Sequence, residues 1–247
     1  MSEANEMSLC FDVVQVLCDF CDLCTQIALI SSCKEFNELK IRKLDCSNGI
    51  AAQITQKIIQ QKKFDRLQKL NAYNNSRITS VNHLANTLIE LNCAGYFCSI
   101  NQEGINNLKV LQKLNAYNNS RITSVNHLAN TLIELNCGRD CGINQKGIND
   151  LKVLQILNAF NNTKIISVNH LMNTLIQLDC SWNNINQEGI KELKILRKLY
   201  TSGNSKIISV THLTNTLIEV NCRYDCGIGF EEINKFGGFI KFNCIWR

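Results

Sequence analysis

The sequence lacks proline entirely, and it has no apolar run of the roughly 20 residues that a membrane-spanning helix needs. Its first residues include Glu3 and Glu6 but no basic residue, so they do not form the pattern of a secretory signal peptide. We therefore expect a soluble, intracellular protein that lies in the cytoplasm and has no membrane partner. The absence of proline supports no functional conclusion.

The motifs of common catalytic sites are missing as well. The chain has no glycine-rich phosphate loop, no nucleophile elbow and no pair of carboxylates at catalytic spacing. The net charge of +5 is modest, and the basic residues are spread along the chain with one tighter run at Lys62, Lys63 and Arg66. Nucleic-acid-binding proteins usually concentrate such charge on one face. We therefore predict a non-catalytic protein that needs no cofactor or metal and binds no nucleic acid.

One stretch organises the chain. Residues 67–93 read LQKLNAYNNSRITSVNHLANTLIELNC and recur without change as residues 111–137. Looser copies follow, and each copy contains two units that open with Leu, any two residues, Leu, any residue and a small apolar residue. Related openings occur near both ends. The ten units, numbered 1 to 10, start at Ile41, Leu67, Leu88, Leu111, Leu132, Leu154, Leu175, Leu196, Leu217 and Phe239.

A period near 22 residues with this opening resembles the leucine-rich repeat. The resemblance implies an α/β fold for residues 41–247: a right-handed solenoid of about nine repeats plus a terminal strand. Its parallel sheet would form the concave face and short helices the convex face. Positions 1, 4 and 6 of each unit should serve the core, and positions 3 and 5 should point outward because side chains alternate along a strand. We expect residues 49–66 to form a true α-helix, and Asn to cap the return segments that read INQEG or INQKG.

Columns of equivalent residues should run across the sheet. Position 3 alternates Lys with Glu over much of the array, which predicts cross-strand ion pairs and argues against a strongly charged ligand on this face. Position 5 is mostly Asn, whose amides can hydrogen-bond one another. Position 6 holds six cysteines, which we expect to be buried and reduced because free Cys packs as a small apolar residue. They are Cys46, Cys93, Cys137, Cys180, Cys222 and Cys244.

Position 7 alternates aromatic residues with small ones. Tyr73, Tyr117 and Phe160 lie in units 2, 4 and 6, and Trp182 and Tyr200 should extend the same surface. Rigid aromatic side chains beside a concave surface are typical anchors for a protein partner. They could equally shield the turn after each strand, and the sequence leaves both interpretations open.

Two other sets of residues suggest metal sites at first sight. His83, His127, His170 and His212 recur two units apart, so neighbours are separated by about 10 Å and cannot share a zinc ion. We expect them to be exposed or locally hydrogen-bonded. Cys18, Cys21 and Cys24 provide only three ligands, and we interpret them as one face of a helix.

Residues 9–40 differ from the repeats and follow a polar tail, residues 1–8. Apolar residues fall at helical spacing, with Asp22 or Thr25 as a helix cap between two or three short helices. This segment resembles an F-box. The residues that carry the resemblance are Leu9, Val13, Val14 and Leu17, the Asp22-Leu23 turn, Leu29, Ile30 and the run from Ser32 to Phe36 with Leu39. Cys10 stands where that family has proline.

The F-box resemblance implies a partner. The segment would dock onto the Skp-type linker subunit of a cullin-RING ubiquitin ligase, and the solenoid would hold an unknown target protein for ubiquitin transfer. The residues assigned to the linker are Leu9, Phe11, Val14, Leu17 and Ile27. The alternative is a plain leucine-rich-repeat scaffold or decoy whose helices only cap the solenoid. The whole chain resembles the F-box/leucine-rich-repeat proteins of giant DNA viruses, which implies the host-cell cytoplasm as its location.

Overall fold

Ten short parallel strands form one sheet in the computed structural model, which describes residues 13–19, 21–32, 38–47, 50–236 and 241–243. Each strand pairs with the next one along the chain, in a solenoid-like order from β1 to β10. The strands are β1 Lys43–Asp45, β2 Lys69–Asn71, β3 Glu90–Asn92, β4 Lys113–Asn115, β5 Glu134–Asn136, β6 Ile156–Asn158, β7 Gln177–Asp179, β8 Lys198–Tyr200, β9 Glu219–Asn221 and β10 Lys241–Asn243. The predicted continuous parallel sheet is confirmed.

The register follows the repeat. Leu70 pairs with Leu91 and Leu91 with Leu114, so each strand presents positions 3, 4 and 5 of its unit to the same positions of the next. Position 4 is buried and positions 3 and 5 face the opposite side of the sheet, as the alternation of side chains requires. The predicted column is buried throughout: Leu70, Leu91, Leu114, Leu135, Leu157, Leu178, Leu199 and Val220.

Short 3₁₀ turns occupy most return segments. In the even-numbered units they span Asn82–Leu84, Asn126–Leu128, Asn169–Leu171 and Thr211–Leu213, and in units 5 and 7 they span Gln145–Gly147 and Gln187–Gly189. The predicted Asn caps are confirmed, because Asn144 Oδ1 accepts from Gly147 N at 3.2 Å and Asn186 Oδ1 accepts from Gly189 N at 3.0 Å.

The segment 49–66 is not the α-helix that we predicted. It consists of a 3₁₀ turn at Ile50–Gln53, the four-residue helix α3 at Gln56–Ile59 and a second 3₁₀ turn at Lys62–Phe64. Among the side chains of this segment that the structure describes, Ile54, Ile59 and Phe64 are buried, five residues apart. Ile59 and Phe64 are the last residues of two of these short elements, and Ile54 lies between two of them, whereas a continuous helix would repeat its buried face every 3.6 residues.

The described part of the chain contains four α-helices besides the 3₁₀ turns. A first helix, α1, includes residues 13–19, and α2 spans Leu23–Ser32. Asp22 caps α2, since its Oδ1 accepts from Thr25 N at 2.9 Å, which settles the predicted choice of cap. Beyond α3, the last helix is α4 at Phe230–Asn234. One hydrophobic cluster runs from Ile30 in α2 through the whole array to Phe236.

Candidate binding surface

The face of the sheet that carries positions 3 and 5 is electrostatically paired. Lys69 Nζ lies 2.6 Å from Glu90 Oε1, Lys113 Nζ lies 3.1 Å from Glu134 Oε2, and Lys198 Nζ lies 3.9 Å from Glu219 Oε2. These pairs are partly exposed, so each contributes about 1 kcal/mol or less to stability. The predicted ion pairs are present, and the charge of this face is largely neutralised by its own residues.

The asparagines at position 5 have a different partner from the one we expected. In most strands the Oδ1 atom accepts the backbone N–H two residues later: Asn71 from Tyr73 at 3.1 Å, Asn115 from Tyr117 at 3.1 Å and Asn158 from Phe160 at 3.0 Å. Asp179 accepts from Ser181 in the same way, and burial raises the pKa of Asp179. Asn221 differs, because its Oδ1 accepts from Ser202 Oγ at 3.0 Å. The column therefore fixes the bend that follows most of the strands.

A groove of about 700 Å³ lies on this face over β1 to β5. Asp19, Cys21, Leu23 and Gln26 from the N-terminal helices line it together with the polar side chains of the strands. Asp19 Oδ2 is 3.3 Å from Arg42 Nη1, which ties this wall to the first unit. Buried Gln26 donates to the Cys21 carbonyl at 2.8 Å, and its Oε1 has no partner. The N-terminal segment thus forms part of the groove.

The bend after each strand forms a second surface, the turn edge, which consists of positions 7 to 11 of each unit. Position 8 is in the left-handed region in units 2 to 9. Its N–H then donates to the position 7 carbonyl of the next unit, as from Asn74 to Ala94 at 2.9 Å and from Trp182 to Ser202 at 2.9 Å. The residues at position 8 are Asn74, Gly95, Asn118, Arg139, Asn161, Trp182, Gly203 and Tyr224.

Four of the five predicted aromatic residues lie on the turn edge. Tyr73 and Trp182 are exposed, and Tyr117 and Phe160 are half-buried. A Cβ added to Gly138 would lie 2.9 Å from the Tyr117 ring, so the small residue of the next unit makes room for the aromatic one. At Tyr117, therefore, packing explains why a small residue follows an aromatic one at position 7 of the next unit. The rings of Tyr73 and Trp182 are exposed and remain available to a partner.

Tyr200 is the exception among these residues. It lies in β8 on the sheet face, half-buried between Asp179 and Asn221 of the neighbouring strands. Burial and the nearby carboxylate of Glu219 raise the pKa of Tyr200.

The sequence reasoning missed three exposed aromatics on the turn edge: Tyr96, Phe97 and Tyr224. The rings of Tyr96 and Phe97 meet edge to face with centroids 5.5 Å apart. Unit 3 is 23 residues long, whereas the other odd-numbered units from 5 to 9 have 21 or 22. This extra length was the signal that could have drawn attention to Tyr96 and Phe97.

The N-terminal helix α1 has an anchored face and a free one. Gln15 is buried and exchanges two hydrogen bonds with the backbone of Lys40, donating to its carbonyl at 2.9 Å and accepting from its N–H at 2.8 Å. Val13, Val16 and Leu17 are exposed.

The residues assigned to a linker subunit fall in three environments. Leu17 is exposed, and Val14 and Ile27 are half-buried against the core. Leu9 and Phe11 lie outside the described residues, as does the predicted tail.

The histidines form a structural row. Each Nε2 lies 3.0 to 3.2 Å from a carbonyl oxygen of the preceding unit, at Ile59, Ile105, Ile148 and Ile190 in turn. The rings are exposed on one side, and partial burial lowers the pKa of His83, His127 and His170. The part of the chain that the structure describes contains no group of three His, Cys, Asp or Glu side chains placed to hold a metal ion.

The cysteines of position 6 are buried, with one departure from the prediction. Burial raises the pKa of Cys46 to about 12 and raises the pKa of Cys93, Cys137 and Cys180 as well. Cys222 is disulfide-bonded, not reduced as we expected, and Cys244 lies outside the described residues. Cys18, Cys21 and Cys24 are free thiols, buried, half-buried and exposed respectively.

Among the described residues, no helix is long and apolar enough to cross a membrane. Comparison of the chain with models of known protein families gave no match, and comparison with curated proteins gave none either.

Proposed function

We propose that this chain is a right-handed leucine-rich-repeat protein that acts as a non-catalytic adaptor: its repeats hold a target protein, and its N-terminal helices dock onto the Skp-type linker subunit of a cullin-RING ubiquitin ligase. The repeat assignment is supported by unit 7, where Leu175, Leu178, Cys180, Asn183 and Ile185 match the spacing of the leucine-rich repeat. Asn183 is buried and accepts from Ile185 N at 2.9 Å, the role that this position has in a repeat turn.

The adaptor role is supported chiefly by helix α1, which has one buried face and one exposed apolar face. Gln15 and Cys18 are buried, Gln15 is hydrogen-bonded to the backbone of Lys40, and Asp19 pairs with Arg42 of the first unit. These contacts hold the helix in place without using its exposed face. Val13, Val16 and Leu17 are adjacent on that other face, at spacings of three and four residues, and all are more than half exposed. An apolar stripe on an anchored helix is suited to bind a second protein, because its burial releases water without requiring the helix to unfold.

The target would bind on the repeats. The groove over β1 to β5 is open, is lined by both polar and apolar atoms, and is of a size that accommodates several side chains. Tyr73 and Trp182 on the turn edge supply exposed aromatic anchors beside this face, and aromatic residues dominate binding energies at many interfaces. Such an adaptor would act in the cytoplasm, that of the host cell if the chain is viral.

The test is a pull-down of the purified linker subunit by the wild type and by Leu17→Asp, with a denaturation curve for each. We expect the charge at Leu17 to abolish linker binding and to leave stability nearly unchanged, because the side chain is 59% exposed. Ile166→Asp is the matched control, since Ile166 is 55% exposed on a return segment far from α1 in sequence. Failure of the folded wild type to bind the linker would refute the adaptor role.

A second candidate is a plain repeat scaffold or decoy in which α1 and α2 serve only as a cap. The hydrogen bonds between Gln15 and Lys40 and the burial of Ile30 in the common core favour it. In that case Gln15→Ala should lower the denaturation midpoint, and neither the wild type nor any variant should bind a linker subunit. The two candidates therefore differ in linker binding and share the requirement for an anchored helix.

A further inference from the structure

The turn edge carries a row of basic residues that have no acidic partner. Arg77, Arg121, Lys164 and Lys206 occupy position 11 of units 2, 4, 6 and 8, and all four are exposed. None of them belongs to an ion pair among the residues that the structure describes. The Lys and Glu side chains of the sheet face, by contrast, largely neutralise one another.

The units between these residues present small or neutral groups. The Gly142 backbone lies against the carbonyls of Ser120 and Ile122, on either side of Arg121. Lys164 Nζ donates to the Cys141 carbonyl at 3.0 Å, and Lys206 Nζ donates to Asn184 Oδ1. The four cations therefore recur along one edge at every second unit, and the two lysines are bonded to neutral oxygen atoms.

The whole turn edge is basic and aromatic. Positions 7 to 11 of units 2 to 9 contain six basic residues, which are the four above with Arg139 and Arg223, against two acidic ones, Asp140 and Asp225. The same positions contain seven aromatic residues: Tyr73, Tyr96, Phe97, Tyr117, Phe160, Trp182 and Tyr224. Most of the net positive charge of the chain is thus concentrated here, which composition alone did not reveal.

The distance between successive basic residues of this row indicates which kind of ligand would fit it. Consecutive strands are about 4.8 Å apart, so the basic residues and the aromatic residues of the even-numbered units both recur about every 9.6 Å. A polyproline II helix has three residues per turn and a rise of about 3.1 Å per residue, which gives a repeat of about 9.3 Å. An acidic residue at every third position of such a peptide would face one cation of each even-numbered unit.

We propose that the turn edge binds an acidic polypeptide segment in the polyproline II conformation, with a carboxylate at every third residue opposite Arg77, Arg121, Lys164 and Lys206. The intervening residues of the peptide pack between aromatic rings, as extended proline-rich ligands do in aromatic-lined grooves. The inference rests on the proposed interaction function and names the chemistry of the target. It does not depend on the linker subunit.

The experiment uses the full chain and three synthetic ten-residue peptides labelled at one end, with binding followed by fluorescence anisotropy. The first peptide is Glu-Pro-Pro-Glu-Pro-Pro-Glu-Pro-Pro-Glu, whose four carboxylates span about 28 Å at 3.1 Å per residue. The row from Arg77 to Lys206 covers six strand spacings, or about 29 Å. The second peptide has the same composition with the glutamates grouped at one end, and the third has Lys in place of Glu. We expect the first to bind at least tenfold more tightly than the second, and the third not to bind.

Two variants with the same change of net charge test whether the peptide binds at the turn edge. One carries Arg77→Gln, Arg121→Gln, Lys164→Gln and Lys206→Gln. The control carries Lys109→Gln, Lys146→Gln, Lys152→Gln and Lys194→Gln, all exposed positions on the return segments. Exposed ion pairs change affinity by about twofold to fivefold each, so the first variant should lose at least tenfold and the control less than threefold. Denaturation curves establish that both variants are folded.

Several outcomes would overturn the inference. These are equal binding of the first two peptides by the unaltered chain, equal losses in the two charge variants, or tighter binding of a ten-nucleotide oligothymidylate than of the first peptide. The last result would identify the turn edge as a surface for single-stranded nucleic acid. A chain that binds the linker subunit but not the peptide would contradict only this inference, and the converse would contradict only the adaptor role.

Discussion

At the scale of single residues, the bend at position 8 is the most constrained feature of each unit. A left-handed conformation there points the N–H toward the next unit, where it donates to the position 7 carbonyl. Asn and Gly adopt this conformation at little cost, whereas other residues pay about 1–2 kcal/mol for it. Five of the eight positions hold Asn or Gly, and the exceptions Arg139, Trp182 and Tyr224 all lie on the exposed turn edge. Bulky residues retained in a strained conformation are typical of functional surfaces.

Asn118 provides a test of this constraint. Its φ is +61° and its side chain makes no hydrogen bond with the residues that the structure describes, so a substitution there changes mainly the backbone preference. We expect Asn118→Val to lower the free energy of unfolding by about 1–2 kcal/mol, because a branched Cβ is unfavourable in this region. Asn118→Gly should change it by less than about 0.5 kcal/mol. Urea denaturation of the two variants measures the difference, and equal values would show that the bend is not strained.

At the scale of the elements, side-chain amides connect each return segment to the next. Gln102 Oε1 accepts the backbone N–H groups of Thr123 and Ser124 at 2.9 and 2.8 Å, and Gln145 and Gln187 do the same two and four units later. These bonds add to backbone hydrogen bonds between the same segments, such as that from Gln102 N to the Arg121 carbonyl at 3.0 Å. They require the segments to approach closely, and the glycine that follows each Gln by two residues makes that approach feasible.

Gly147 tests the close approach of the return segments. A Cβ at this position would lie 2.3 Å from the Thr123 carbonyl oxygen. We expect Gly147→Ala to lower the free energy of unfolding by about 1–3 kcal/mol, since the two segments must separate to admit the methyl group.

Gly229 is the matched control, because nothing lies within 4 Å of its added Cβ and its φ of −82° suits any residue. Gly229 is the N-cap residue of α4, where Gly is favoured over Ala, whereas Ala restricts the unfolded chain; these opposing effects should keep the change in the free energy of unfolding for Gly229→Ala below about 1 kcal/mol. Denaturation of both variants checks the comparison. A similar loss at both positions would mean that helix or turn propensity, not the contact between units, controls the effect.

At the scale of the whole molecule, each unit contacts chiefly the units before and after it. Stability in such an array is close to a sum of unit terms and nearest-neighbour terms, so local changes should have local effects. The first unit is covered by α1 and α2, which share its core through Ile30, and α4 packs at the other end through Glu232, whose Oε1 accepts from Val210 N at 2.8 Å. The two ends of the array therefore contain α-helices, whereas the described return segments of units 2 to 8 contain only 3₁₀ turns or irregular turns.

Deletion of residues 67–110 tests the nearest-neighbour description. Residues 111–137 are identical to residues 67–93, so unit 4 would offer unit 1 the same surface that unit 2 offers now. We expect a folded chain with parallel-sheet circular dichroism and a lower denaturation midpoint, because two units and their contacts are lost.

The control for this deletion removes residues 67–87 only. Unit 3 would then follow unit 1, and the hydrogen bonds of Gln56 Oε1 to Thr79 and Ser80 would be lost. We expect this shorter deletion to destabilise the chain more than the longer one. The opposite order would contradict the nearest-neighbour account.

The sequence by itself determined the strands and their register. A period near 22 residues and the alternation within each unit are enough to place Leu70, Leu91 and Leu114 in one buried column, and to set Lys69 beside Glu90 and Lys113 beside Glu134. These features depend only on which residues recur at the same position, because parallel strands stack equivalent positions at a fixed spacing. Local rules narrowed the cap of α2 to Asp22 or Thr25, and the structure decided for Asp22.

Only the tertiary structure decided the partners of the polar side chains. Whether the Asn71 amide bonds its neighbours or its own turn depends on the path of the chain after the strand, which the repeat pattern does not specify. The same is true of the broken segment 49–66, the left-handed Trp182 and the anchoring of Gln15 on Lys40. The row from Arg77 to Lys206 emerges only when alternate units are stacked, because residues about 43 positions apart in sequence then become neighbours on one edge. Periodicity thus fixes which residues lie in register, and three-dimensional packing fixes what each of them contacts.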